Sequence, residues 1–137
     1  MQRSTQTPDI TPAKMRGVIY AALIVGVALF ALVVRLVVGP IGTYDGLALR
    51  FVWLAAAAGC TLAAGYFRTR LAGPDADDAQ LTKGAVIVWA LAEGQALLGI
   101  VGYMISGDVL IMWCSLALFA YLFVRYRPAV FQVRRSR

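Results

Sequence analysis

Four long apolar stretches separated by short polar ones organise the chain. The first runs from Gly17 to Val38 and is interrupted only near its end, by Arg35. The second runs from Phe51 to Phe67 between Arg50 and Arg68. The third, Gly84 to Gly107, lies between Lys83 and Asp108 and holds a single charge, Glu93. The fourth runs from Val109 to Val124 and stops at Arg125. A bilayer core takes about 20 residues of helix, with about 17 as the short limit. The pattern therefore predicts an all-α, polytopic membrane protein with four transmembrane helices, at about residues 17–38, 46–67, 84–106 and 108–125. The second and fourth are near the short limit, so Arg50, Arg68 and Arg125 are expected to reach toward the headgroups.

The connections set the topology. "GPIGTYDG" joins the first two helices and reads as a tight turn, and the third and fourth are joined by little more than "SGD". Two antiparallel hairpins follow, forming one membrane domain over residues 17–126. Residues 1–16, polar and carrying Pro8 and Pro12, read as a flexible arm, and residues 127–137 as a basic tail. The first stretch exceeds the 7–15 residues or so of a signal-peptide core and is expected to remain as a helix.

Composition agrees with that class. The chain is 61% hydrophobic and 15% charged, against roughly half and a quarter in soluble domains. Of 13 basic residues, 11 fall in the arm (Arg3, Lys14, Arg16), the central connection (Arg68, Arg70, Lys83) or the tail (Arg125, Arg127, Arg134, Arg135, Arg137). Four spans put all of these on one side, which the positive-inside rule makes cytoplasmic, with both termini there. The expected location is a bacterial inner membrane. Because the charges flank spans, the net +6 points to anionic lipid headgroups and not to nucleic acid. Arg125, Arg127, Arg134, Arg135 and Arg137 are the expected lipid-surface contacts.

Chemical motifs are sparse. Cys60 and Cys114 fall inside spans and form no CxxC, and the chain has no histidine. Without histidine the commonest haem, zinc and copper ligand is missing, so neither metal nor cofactor is expected. No nucleophile–base pair or phosphate loop is visible, so no enzyme activity is expected. Asp75, Asp77 and Asp78 lack calcium-loop spacing and read as a solvated loop. Asp45 and Asp108 are placed to pair with Arg35 or Arg50.

Packing signals are clearer. Helices in lipid associate where small residues allow close approach. Ala55, Gly59 and Ala63 recur at fourth positions of the second helix, with Ala22 and Gly26 on the first and Ala92, Ala96 and Gly99 on the third. The reading is a bundle centred on the second helix, with the bulkier fourth facing lipid or a partner.

Glu93 lies roughly 14 Å in from Gly84 at about 1.5 Å per residue, close to the midplane. An ionised carboxylate there costs several kcal/mol, so protonation and a neutral partner are expected. Arg35 and Arg50 are displaced in depth by about 12 Å, too far for a comfortable pair. Ser115 and Thr61 are the nearer candidates to share an ion-binding site with Glu93. Structural glue and ion binding are both open readings of this carboxyl.

The segment "IVWALAEGQALLGIVGYMI" resembles the ion-carrying helix of the proteolipid c subunits of rotary ATP synthases, through Ala90, Leu91, Ala92, Glu93, Ala96 and Gly99. The resemblance is close over about 20 residues and loose over about 60. It implies an ion-binding role for Glu93 alone. The central connection here lacks the short Arg-Gln/Asn-Pro turn of that family, and two further helices flank the pair. The functional expectation is a small non-catalytic integral subunit, packing with other membrane proteins in a complex of the energy-transducing kind or as a homo-oligomer. The alternative is a proton- or sodium-binding protein that uses Glu93.

Overall fold

A computed structural model describes residues 11–42, 44–73 and 76–131, and these are helical with no strand among them. Four helices follow in order: α1, Pro12–Val33; α2, Gly46–Leu71; α3, Asp78–Ser106; and α4, Val109–Arg125. A π-helical turn, Val34–Val38, extends α1, and a 3-10 turn, Pro128–Phe131, follows α4. The first three, taking α1 through Val38, are long and apolar enough to cross a membrane; α4, at 17 residues, is shorter.

Local chemistry sets the ends. Pro12 opens α1, where its missing N–H would have no partner anyway. Asp45, Asp77 and Asp108 each stand just before a helix and accept a backbone N–H, from Leu47, Gln80 and Leu110 at 2.9, 2.7 and 3.0 Å. Gly107 closes α3 with φ 72°, a conformation open to glycine at little cost. Two expected boundaries move. Helix α1 begins inside the stretch expected to be a loose arm, because Pro12 starts it and Arg16 is tied down. Helix α3 begins at Asp78 and not near Gly84, because Asp77 caps it. The remainder of the arm and the tail beyond Phe131, with Arg134, Arg135 and Arg137, lie outside the described residues.

Helix α3 is the centre of the bundle, in place of the second helix. Half of its most apolar window is buried, against 11% for α1 and for α2. The reason lies in where its small residues fall. Gly84 stands 3.0 Å from the Leu71 Cβ at the end of α2, measured from the Cβ position that any larger residue would occupy. Gly102 stands 3.3 Å from Ile111 of α4 on the same measure, and Gly99 lies against Ser115 of α4. Small positions therefore face both neighbours and let two helices approach one. In α2 alanines surround the helix, so no single face is marked, and only Ala57 and Ala64 are buried.

The first two helices do not form a packed hairpin: no Cα of α1 comes within 8 Å of one in α2. Their connection lies across the end of α3. Ile41 and Gly42 donate their N–H groups to the Met104 carbonyl at 2.7 and 3.2 Å, and Tyr44 to that of Ile105 at 3.2 Å. A side chain on Gly42 would begin 2.5 Å from the Ile105 carbonyl oxygen, so glycine permits this approach. The connection thus satisfies carbonyls that the end of a helix leaves open. Helix α1 runs parallel to α3 and joins α4 through large side chains. Tyr20 stacks with Phe123 at 4.9 Å and edge-on to Trp89 at 5.2 Å. Its hydroxyl donates to the Phe123 carbonyl at 2.9 Å, and the Trp89 indole donates to that of Tyr126 at 2.7 Å. Phe131 returns from the 3-10 turn to lie fully buried against Trp89.

Candidate functional site

Glu93 sits in the middle of α3, half-buried. Residues three or four apart share a helix face, so Glu93 shares one with Ala90 and Leu97, and with Val86 a further turn back. Val86 and Ala90 are exposed, whereas Ala92, Gln95, Ala96 and Gly99 are buried. Trp89 and Ala96, one turn back and one turn on, are buried too, so the carboxyl stands at the boundary between the buried and exposed sides of the central helix. Among the described residues it makes no hydrogen bond and no ion pair.

Neither expected partner joins it. The Ser115 hydroxyl donates to the Ile111 carbonyl one turn back at 2.8 Å, and Thr61 likewise to Ala57 at 2.7 Å. Ser115 meets α3 at Gly99, six residues on from Glu93 and about 120° round the helix. Counting along the chain puts Ser115 level with Glu93; in the structure a shift of about 9 Å along α3, as well as rotation about its axis, separates the two.

The buried polar group of α3 is Gln95 instead. It is 1% exposed, and neither its amide nitrogen nor its amide oxygen has a partner among the described residues. Its position between Ala92 and Gly99 on the small-residue stripe is the signal that marks it: a polar side chain there must enter the helix interface.

The expected packing residues divide. Ala92, Ala96 and Gly99 are in the interior. Ala63 is half-buried, while Ala22, Gly26, Ala55 and Gly59 are exposed. A side chain grown on Gly26 or Gly59 would meet nothing within 4 Å. Four of the eight small positions are thus exposed among the described residues.

Charged groups gather at the two ends. At the end that holds the start of α1, Arg16 is 3% exposed. Its guanidinium donates to the Asp78 carboxylate at 3.3 Å and to the Thr82 hydroxyl at 2.9 Å. Asp77 and Asp78 are accounted for by a cap and an ion pair; Asp75 lies outside the described residues. Among the described residues no cluster of acids, cysteines or histidines fits a metal ion. Arg125 and Arg127 are exposed, and the Arg68 and Arg125 guanidiniums stand 5.9 and 6.0 Å from the Tyr126 ring centre.

At the opposite end, Arg50 Nε donates to Asp108 Oδ2 at 2.6 Å. That hydrogen bond holds the Asp108 carboxyl below the usual aspartate range, against a smaller opposing effect of desolvation, with the Leu110 N–H adding to the lowering. Arg35 turns to the Tyr103 hydroxyl at 3.4 Å, and Asp45 serves as a cap. Beside the Arg50–Asp108 pair a cleft of about 230 Å³ opens between α2 and α4, lined by Arg50, Trp53, Leu54, Leu110, Ile111 and Cys114. The Trp53 indole nitrogen is buried, away from the cleft surface, without an acceptor among the described residues.

No protein family, no curated protein and no solved structure matches this chain.

Proposed function

We propose that the protein is a small non-catalytic integral membrane subunit that assembles beside other membrane proteins. The observation that carries this reading is the pair of outward small-residue seats, Ala22 with Gly26 on α1 and Ala55 with Gly59 on α2. Close approach of helices in lipid uses such positions, and here they are exposed, with open space at Gly26 and Gly59. Large apolar residues flank the seats, among them Val25, Leu29, Leu54 and Leu62. In this reading α4 spans with the other three helices. Both termini lie in the cytoplasm of a bacterial inner membrane, and the basic end meets anionic lipid through Arg125, Arg127 and the tail. An energy-transducing complex is the setting suggested by the likeness of α3 to the rotary proteolipids.

Purification of the full chain in mild detergent tests the assembly. Stoichiometric partner proteins are expected, and their loss is expected when Gly59→Leu and Gly26→Leu fill the seats. A stable lone protein, unaffected by these changes, overturns the reading.

A second reading takes Glu93 as a proton- or sodium-binding group. It is favoured by a mid-helix carboxyl with no partner among the described residues, since intramembrane carboxyls lean toward function. Proton and sodium flux into vesicles that is the same for Glu93→Gln and the parent chain rules it out.

A further inference from the structure

We propose that the uncovered side of α3, between α1 and α2, seats a membrane-spanning helix of another protein that carries a lysine or arginine at mid-length, paired there with Glu93. The inference rests on the subunit reading and adds the chemistry of the partner.

A turn of about 100° per residue fixes the directions around α3. Trp89 meets Tyr20 of α1 edge-on at 5.2 Å. Leu98, about 180° round from Trp89, borders an apolar space shared with Leu49, Val52 and Trp53 of α2. Gly84, which meets Leu71 near the other end of α2, points within about 40° of the same direction. Gly99 lies against Ser115 of α4, about 80° from Trp89 in one sense. Helix α4 thus fills one of the two sides between α1 and α2. On the other side, Val86, Ala90, Val101 and Gly94 stand about 60°, 100°, 120° and 140° from Trp89, and all four are exposed. No Cα of α1 comes within 8 Å of one in α2, and the two helices do not close over this side. A side chain grown on Gly94 would meet nothing within 4 Å. Ala90 precedes it by one turn, a spacing of small residues that lets a second backbone come close.

Glu93 stands on the α1 edge of this open side, about 40° round from Trp89. The two ion pairs among the described residues, Arg16–Asp78 and Arg50–Asp108, leave it out. Ionisable groups within a membrane pair with one another or with backbone carbonyls. Thr61 and Ser115 take the backbone option, each donating to a carbonyl of its own helix, and Glu93 does not. A second copy of this chain offers no cation at that depth. On the described helices every basic residue lies close to a helix end, and the one farthest in is Lys83, the sixth residue of α3. It is about 15 Å from Glu93 along the axis. Two copies joined by this side would set carboxyl against carboxyl, which disfavours the charged form of both. A cation at mid-length on a different helix completes the pair.

The test reconstitutes the full chain in phosphatidylcholine vesicles and follows energy transfer to a labelled probe, an alanine–leucine helix of about 23 residues with one central lysine. Association about tenfold tighter than for the same helix with a central leucine is expected, the scale of a polar contact between helices in lipid. Glu93→Gln is expected to abolish that preference, and Glu93→Lys to reverse it toward a probe with a central glutamate. Gly94→Leu keeps the carboxyl and fills the seat, so a severalfold loss of the lysine probe is expected. Equal association of the lysine and leucine probes overturns the proposal, as does a lysine preference kept in Glu93→Gln. So does energy transfer between two labelled copies of the chain that Glu93→Gln removes, because a second copy then occupies this side. No native partner enters the measurement, so its failure is separate from failure of the subunit reading, which co-purification decides.

Discussion

The side chain of Ser115 fills the space where a side chain on Gly99 would stand. Its hydroxyl is turned back to the Ile111 carbonyl, so a residue often read as an interhelical bridge here acts as a small filler. Any larger residue at position 99 must force α3 and α4 apart. Gly99→Ala is expected to destabilise the protein by about 1–3 kcal/mol, the usual range for overpacking. Reversible unfolding in a denaturing detergent measures it. Adding Ser115→Gly should recover part of the loss, whereas Gly94→Ala, which meets nothing within 4 Å, should cost little.

Gln95 carries the opposite prediction. Its amide is enclosed without a partner, and each such group costs about 1–3 kcal/mol when left unsatisfied. Gln95→Leu or Gln95→Met is therefore expected to raise the unfolding midpoint. A lowered midpoint would mean that a water molecule or a partner protein satisfies the amide. Glu93→Gln, half-buried at the edge of the same helix's packed side and without a partner among the described residues, should leave stability within about 0.5 kcal/mol of the parent.

The Arg16–Asp78 pair is asymmetric, because the cation is buried and the carboxylate half in water. Removing Asp78 strands a buried charge; removing Arg16 leaves a carboxylate that water solvates. Asp78→Ala is thus expected to cost more than Arg16→Met, which keeps the stem packing, by on the order of 1–2 kcal/mol. Equal losses in unfolding titrations would contradict the burial difference.

Asp108 gives a pH signature. Its carboxyl is held below the ordinary value in the folded chain, chiefly by Arg50. A depressed value means the unfolded chain takes up the proton more readily. The contribution is complete above the unfolded value near pH 4 and fades as pH falls through the lower folded value. Unfolding midpoints measured from pH 6 down to pH 3 should fall less steeply in Asp108→Asn than in the parent.

The sequence pattern located the four helical segments, because apolar length is a local signal, but Asp45, Asp77 and Asp108 read as pair or loop residues and not as the caps they are. Ala92, Ala96 and Gly99, read as packing positions, are buried in the structure. What the pattern left open was rotation. Around α2 the alanines form no single face, so Ala55 and Gly59 read as packing residues, while Ala57 and Ala64 carry the contact. Counting residues places Ser115 near the depth of Glu93, yet it meets α3 at Gly99, six residues on. Such a count fixes neither the slide of α4 along α3 nor the direction around the axis. The turn-rich "GPIGTYDG" suggested a hairpin because Gly and Pro mark a reversal without stating its span. Gly42 takes the chain over the end of α3 by backbone contacts that no side-chain pattern announces.

That crossing has a consequence for biosynthesis. A nascent chain released only as far as Leu71 holds two helices with almost nothing to say to each other. Their relative placement waits for α3 to enter between them and offer its final carbonyls to Ile41, Gly42 and Tyr44. The third segment to leave the ribosome is thus the one that turns the earlier two into a single object.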